Sequence, residues 1–267
     1  MSTEIHRGIT IKSENEINQM RQAGKIVAMT QIALVDALRV GISTLELDKI
    51  AEKEIRTKGA TPSFKGYMGF PSSICTSINN EIVHGIPSKR KIQNGDIVSI
   101  DVGAIYNGYH SDSAFTIGIG NISDKAKQLI SDTKRALQLG IDSIKHSTRV
   151  GDIGFSIQKY GEKRNYGIVK QYVGHGIGRN LHEEPQIPNY GNQGKGVELK
   201  NGMAIAIEPM FNLGSWETQV LDDDWTVVTA DGSLSAHFED TIIITGNIAQ
   251  ILSETSEKKN IPIQKNN

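Results

Sequence analysis

A chain of 267 residues with 29 basic and 30 acidic side chains carries a formal charge of −1 and is long enough for one large core or two fused half-domains. That balance leaves no electrostatic footprint for general nucleic-acid binding, so no DNA partner is expected. Mean hydropathy is −0.31, and no apolar run approaches the ~18 residues of a spanning helix, so no membrane partner is expected either.

The first residues, MSTEIHRGITIKSENE, lack the apolar centre of a secretory signal. Cys75 is the only cysteine, which excludes an internal disulfide and fits a reducing cytoplasm. In SSICTSIN it reads as a small buried hydrophobe.

Ser13-x-x-Glu16 is a capping box before a helical pattern of Ile17, Met20, Ala23, Gly24, Val27 and Ala28, running to about Leu38. Ser43 or Thr44 caps a second helix that Gly59 ends. Strands are expected over Ser73–Ile78, Glu81–Ile86, Asp96–Val102 and Tyr109–Ile119. Asn107-Gly108 makes the hairpin turn between the last two, because both residues tolerate positive φ. A helix from Ser123 to about Lys145 and another over Asp152–Asn165 follow. Further strands are expected over Ile168–Val173, Met203–Pro209, Thr226–Thr229 and Ser235–Thr245. The polar tail 253–267 is expected to fray, leaving a single catalytic domain over 1–252. Two helices, strands, two helices and strands give an α+β fold with an approximate internal repeat.

The chemistry lies where these apolar runs end. Asp101, Asp112, His175, Glu208 and Glu239 each flank or interrupt one. An acid at the edge of a buried strand is costly unless something neutralises it. Four carboxylates and an imidazole cannot neutralise one another, whereas two divalent cations can. Singly, each acid reads as a turn, capping or surface residue, and His175 in Gly174–Gly178 reads as a loop histidine. A dinucleotide-binding reading of those glycines would need a following helix, but Arg179–Pro185 runs into a proline-punctuated loop. The glycines are expected to bring backbone close to a metal. The five together, rather than any one, make the case.

This set, its intervals of 11, 63, 33 and 31 residues, and the stretches INNEIVHGIP, IDVGAIYNGYHSD, GHGIGRNLHEEP, AIAIEPM, DDDWTVVT and HFEDT resemble the methionine aminopeptidases of type I. The resemblance implies a pita-bread fold, with two pseudo-symmetric halves around a central antiparallel sheet. It implies that Asp112 and Glu239 bridge two divalent ions (Co, Mn, Fe or Zn). Asp101 would complete one shell, and His175 and Glu208 the other. A metal-bridged water would attack the scissile carbonyl, with Glu208 shuttling its proton. His84 and His182 would contact the substrate or the tetrahedral intermediate. Tyr67, Phe70 and Trp225 would line the methionine pocket, although ordinary core packing explains Phe70 almost as well. The substrate would be the initiator methionine of nascent chains with a small second residue. The enzyme would be a cytoplasmic monomer of bacterial type that visits the ribosome transiently.

Phe64, Leu181, His237 and Asp240 depart from the usual Cys, Phe, Gln and His of that family. Two readings compete with methionine removal. One is a proline-directed exopeptidase of the same fold, which usually carries a large N-terminal domain. The other is a catalytically silent binding module, which would be marked by lost ligands; none of the five is lost.

Overall fold

A computed structural model of the chain describes every residue except 1, 2, 7, 247 and 267. Its first half runs β1 (Thr3–His6), β2 (Ile9–Ile11), α1 (Glu14–Ala37), α2 (Thr44–Thr57), β3 (Thr61–Pro62), β4 (Ile74–Ile78), β5 (Glu81–Val83), β6 (Ile97–Tyr106) and β7 (Tyr109–Ile119). The second half begins with α3 (Asp124–Asp142), α4 (Val150–Glu162), β8 (Gly167–Ile168), β9 (Gly174–Gly176) and β10 (Glu183–Ile187). It continues with β11 (Ala204–Ile207), β12 (Met210–Asn212), β13 (Thr218–Val220), β14 (Val227–Thr229), β15 (Ser235–His237), β16 (Asp240–Thr245) and β17 (Ile248–Ile251). The chain ends with α5 (Ser256–Lys259) and β18 (Gln264–Lys265).

The helices start where the sequence places their caps. The Ser13 backbone N–H donates to Glu16 Oε2 at 2.9 Å, and Ser43 repeats the box with Glu46. α1 buries Ile17, Met20, Ala23, Val27 and Leu34 along one stripe. The β6–β7 turn has Asn107 at φ 48° and Gly108 at φ 80°, as a tight hairpin requires. All of β7 is buried, because α1 packs on it from one half and α3 from the other. This sandwiching keeps even the polar His110, Ser111, Asp112 and Ser113 of the strand out of water.

β7, β6, β4, β3 and β18 form one sheet. A second runs β1-β2-β10-β9-β11-β16-β17. The two join where the Glu239 N–H donates to the Ala114 carbonyl at 2.9 Å and the Ala114 N–H donates back to the Glu239 carbonyl at 3.2 Å. β15, β12 and β8 form a smaller sheet beside this junction, and β13, β14 and β5 another.

Several expected elements are revised. The strands over 203–209 and 235–245 are each two strands. β11 pairs with β16 in the large sheet and β12 with β15 in the small one, in registers that include Ile207↔Asp240 and Met210↔His237. The ribbon therefore breaks in both strands at one level, at Glu208-Pro209 and at Phe238-Glu239. Proline offers no ladder donor there, so the break falls where the acids stand. The strand over Ile168–Val173 shrinks to β8, and the expected Gly174–Gly178 bend opens with strand β9. A Cβ on Gly174 would lie 2.3 Å from the Ala206 carbonyl oxygen, and one on Gly176 2.2 Å from that of Glu184. These glycines let neighbouring strands close on β9, rather than bringing backbone to a metal. The expected loop to Pro185 contains most of β10, whose Glu184–Pro185 bond is cis. The tail does not fray: α5 packs on α1, and β18 runs parallel to β7 with Gln264↔Gly118. Polar composition hid the apolar Ile261 and Ile263, which pack against the core.

Candidate metal centre and active site

The β6–β7 register pairs Asp101 with Ala114 and Gly103 with Asp112. Asp101 and Asp112 therefore share one face of the hairpin as diagonal neighbours. β9 supplies His175, and the broken ribbon supplies Glu208 and Glu239 at its two breaks.

His175 Nε2 lies 3.6 Å from Asp112 Oδ2 and 3.7 Å from Glu208 Oε1. Ligand atoms of Asp112, His175 and Glu239 all fall within 4.8 Å of one another. The other imidazole nitrogen, Nδ1, sits 2.9 Å from the Gly176 carbonyl oxygen, which can only accept, so Nδ1 carries the proton. Nε2 then presents a lone pair to two carboxylates, too far for hydrogen bonds. The spacing matches two ligands each ~2.1 Å from one ion.

The electrostatics agree. Burial and the charge of Asp112 push the Asp101 carboxyl well above its ordinary range. Burial, then the neighbouring Asp112 and Asp101, does the same to Glu208 and Glu239. Burial lifts Asp112 to about 6, partly offset by the Thr241 hydroxyl. Burial lowers His175 to about 4, keeping it neutral as a ligand requires. Asp101 Oδ1 is buried with no hydrogen-bond partner. Such an atom in a crowd of acids is satisfied by a cation. The donor set, all oxygen except one imidazole nitrogen, fits divalent metal ions.

These five residues form the floor of a cavity of about 180 Å³. Tyr67, Phe70, His84, His182 and Trp225 line it too, with Phe64 and Leu181. Phe70 and Trp225 meet edge to face with centroids 5.0 Å apart. His182 packs 4.4 Å from the His175 ring, and its Nδ1 lies 2.7 Å from the Tyr67 hydroxyl. His84 sits at φ 62°, in a left-handed backbone, edge-on to Tyr172 and Trp225. Burial lowers both His84 and His182 to about 4. The structure thus brings together all ten residues singled out from the sequence.

The other two departures lie behind this floor. His237 is fully buried, and its Nε2 has no hydrogen-bond partner. Asp240 faces away, toward Ser253 and Lys258. Cys75 is buried as expected but also lines the cavity, because β4 places it opposite Asp101. Alternation along β4, once registered on β6, would have placed it there. Thr241, two residues after Glu239, was also overlooked; its Oγ1 accepts the Asp112 backbone N–H at 3.0 Å.

The model of metallopeptidase family M24 matches residues 18–246. Methionine aminopeptidase 1 of Bacillus subtilis is 52% identical over 92% of this chain and 99% of its own. The crystal structure of methionine aminopeptidase from Rickettsia prowazekii superposes with a TM-score of 0.91 at 42% identity, covering 92% of this chain and all of that one. The prolidase from Pyrococcus furiosus is more distant, with a TM-score of 0.76 and 26% identity over 66% of its length. The fold is the pita-bread fold, and the chain belongs to metallopeptidase family M24, among the type I methionine aminopeptidases: it is a metal-dependent aminopeptidase.

Proposed function

We propose that this enzyme removes the N-terminal methionine of nascent polypeptides whose second residue is small, using two divalent ions drawn from Co, Mn, Fe or Zn. The observation that carries this reading is the convergence of Asp101, Asp112, His175, Glu208 and Glu239 beneath an aromatic-walled cavity. Asp112 and Glu239, at the junction of the two sheets, would touch both ions. Asp101 would complete one shell, and His175 with Glu208 the other.

Bound ions would supply Lewis acidity and lower the pKa of a coordinated water toward ~7. Glu208, held at a strand break and open to the cavity, takes the proton of the attacking water and returns it to the leaving amine. Such acid–base help is worth ~10²–10⁴-fold. His84 and His182 flank the floor and donate to the oxyanion as it develops. The Tyr67 hydroxyl fixes the His182 ring. Phe70 and Trp225, with Tyr67, form polarizable walls for the thioether. A cavity of about 180 Å³ has room for one side chain, which suits an exopeptidase; a bulky second residue would meet its rim.

None of the described helices is long and apolar enough to cross a membrane. The proposed substrate places the enzyme with nascent chains at the ribosome, in the cytoplasm, and we propose that it acts there as a monomer. The test is a peptide panel: Met-Ala-Ser, Met-Leu-Ser, N-acetyl-Met-Ala-Ser and Ala-Pro. Release of Met from the first alone supports the reading. Cleavage of Ala-Pro would move the chain to the proline-directed exopeptidases, and cleavage of none despite metal uptake would make it a binding module.

A further inference from the structure

The C-terminal tail lies beyond the family match at residue 246, yet it reaches the back of the metal centre. Lys258, in α5, points its Nζ at Asp240 Oδ1 (2.5 Å), Ser113 Oγ (2.7 Å) and the Ser253 carbonyl (2.8 Å). Three acceptors match the three donors of an ammonium. Both carboxyl-side neighbours of the proposed bridging ligands are thereby engaged: Ser113 follows Asp112, and Asp240 follows Glu239. The contact goes further. With Lys258 donating to its oxygen, the Ser113 hydroxyl turns its own proton to the Glu239 carbonyl at 2.5 Å. The Ser253 hydroxyl adds a bond to Asp240 Oδ1 at 2.8 Å. The Lys258 and Asp240 side chains are 11% and 15% exposed, so the pair is shielded from water and salt.

We propose that Lys258 is a positioning residue, with the tail acting as a clamp that holds β7 and β16 at the spacing Asp112 and Glu239 need to share metal ions. Aspartate at 240, in place of the histidine usual in the resembling family, and lysine at 258 are complementary in charge and reach. The proposal rests on the metal reading of Asp112 and Glu239. Residues that orient metal ligands from behind typically contribute 10–100-fold to metal affinity.

The experiment is calorimetric titration of Mn²⁺ into metal-stripped full-length protein, alongside its unfolding midpoint without metal. The expected result for Lys258→Ala is an Mn²⁺ Kd weakened about tenfold or more, largely recovered in Lys258→Arg. Activity would return at saturating Mn²⁺. Ile157→Val, a core truncation in α4, supplies a loss of stability that does not touch the clamp, and its Kd should stay native. An unchanged Kd in folded Lys258→Ala would overturn the proposal, as would equal weakening in Ile157→Val. Should Lys258→Ala not fold, Lys258→Gln keeps most of the reach without the charge and decides by the same criterion. Failure of the native protein to take up Mn²⁺ would instead overturn the metal reading itself, and the clamp with it.

Discussion

Thr241 Oγ1 lies 2.8 Å from the backbone carbonyl oxygen and 3.0 Å from the carboxylate Oδ1 of Asp112, across 129 residues of sequence. One hydroxyl from the second half therefore fixes both the strand and the side chain of an acid from the first. Asp112 Oδ2 faces His175 Nε2 at 3.6 Å. The centre is thus assembled across the junction of the halves, and its parts respond differently to substitution.

Asp112→Asn and Glu239→Gln remove a charge from the proposed bridging positions while keeping shape. Each should weaken Mn²⁺ binding beyond the ~10–100-fold typical of residues behind the ligands. Both metal-free variants should unfold at a higher temperature than the metal-free native protein, because a raised carboxyl pKa marks an unfavourable buried charge. Calorimetry and thermal melts check the two effects separately.

His84→Ala and His182→Ala should each lower kcat by ~10²–10³-fold, the usual effect of losing one oxyanion donor. Metal content should stay native, because neither ring belongs to the proposed ligand set. Steady-state kinetics with metal analysis of the same samples tests this. Full activity in either variant would remove that residue from the mechanism.

Stability in the absence of metal should depend on pH in two opposed ways. Asp112 rises to about 6 in the folded state from an ordinary 3.8, and Asp101, Glu208 and Glu239 also rise, chiefly through burial. A raised acid favours folding below its unfolded pKa and loses that contribution as pH climbs through the folded value. For Asp112 that window is pH 4 to 6. His84, His175 and His182 fall from 6.5 to about 4, so their contribution is present above 6.5 and is lost as pH drops through 4. Metal binding needs the carboxylates ionised. The rise in melting temperature on adding Mn²⁺ should therefore grow from pH 5 to pH 7.5, and a flat difference would contradict the carboxylate account.

Cys75 should resist alkylation. Burial, then the charge of Asp101, pushes its thiol well above the ordinary range, and it is the thiolate that reacts. Iodoacetamide at pH 8 should label the denatured protein quickly and the native one slowly, as mass spectrometry would show.

Much of this was legible in the sequence because the determinants are local. Capping serines set the starts of α1 and α2, Asn107-Gly108 set the hairpin, and acids abutting apolar runs marked the centre. What was missed depends on pairing at a distance. The breaks at Glu208 and Glu239 coincide only because β11–β12 and β16–β15 run side by side, and a single strand gives no sign of that. β9 is three residues long, and its glycines are required by the backbones of Ala206 and Glu184, on the two strands that flank it. The tail looked solvated because its lysines and glutamates outnumber its isoleucines. The structure shows Lys258 satisfied by acceptors from three separate segments of the chain.

The most direct test of the account is release of methionine from Met-Ala-Ser by metal-stripped protein as Mn²⁺ or Co²⁺ is added back. The account predicts no release without metal and recovery that saturates near two ions per chain in the native protein. It also predicts no recovery at the same metal concentration in Glu239→Gln. Undiminished release by the stripped protein, or full recovery in Glu239→Gln, would contradict it.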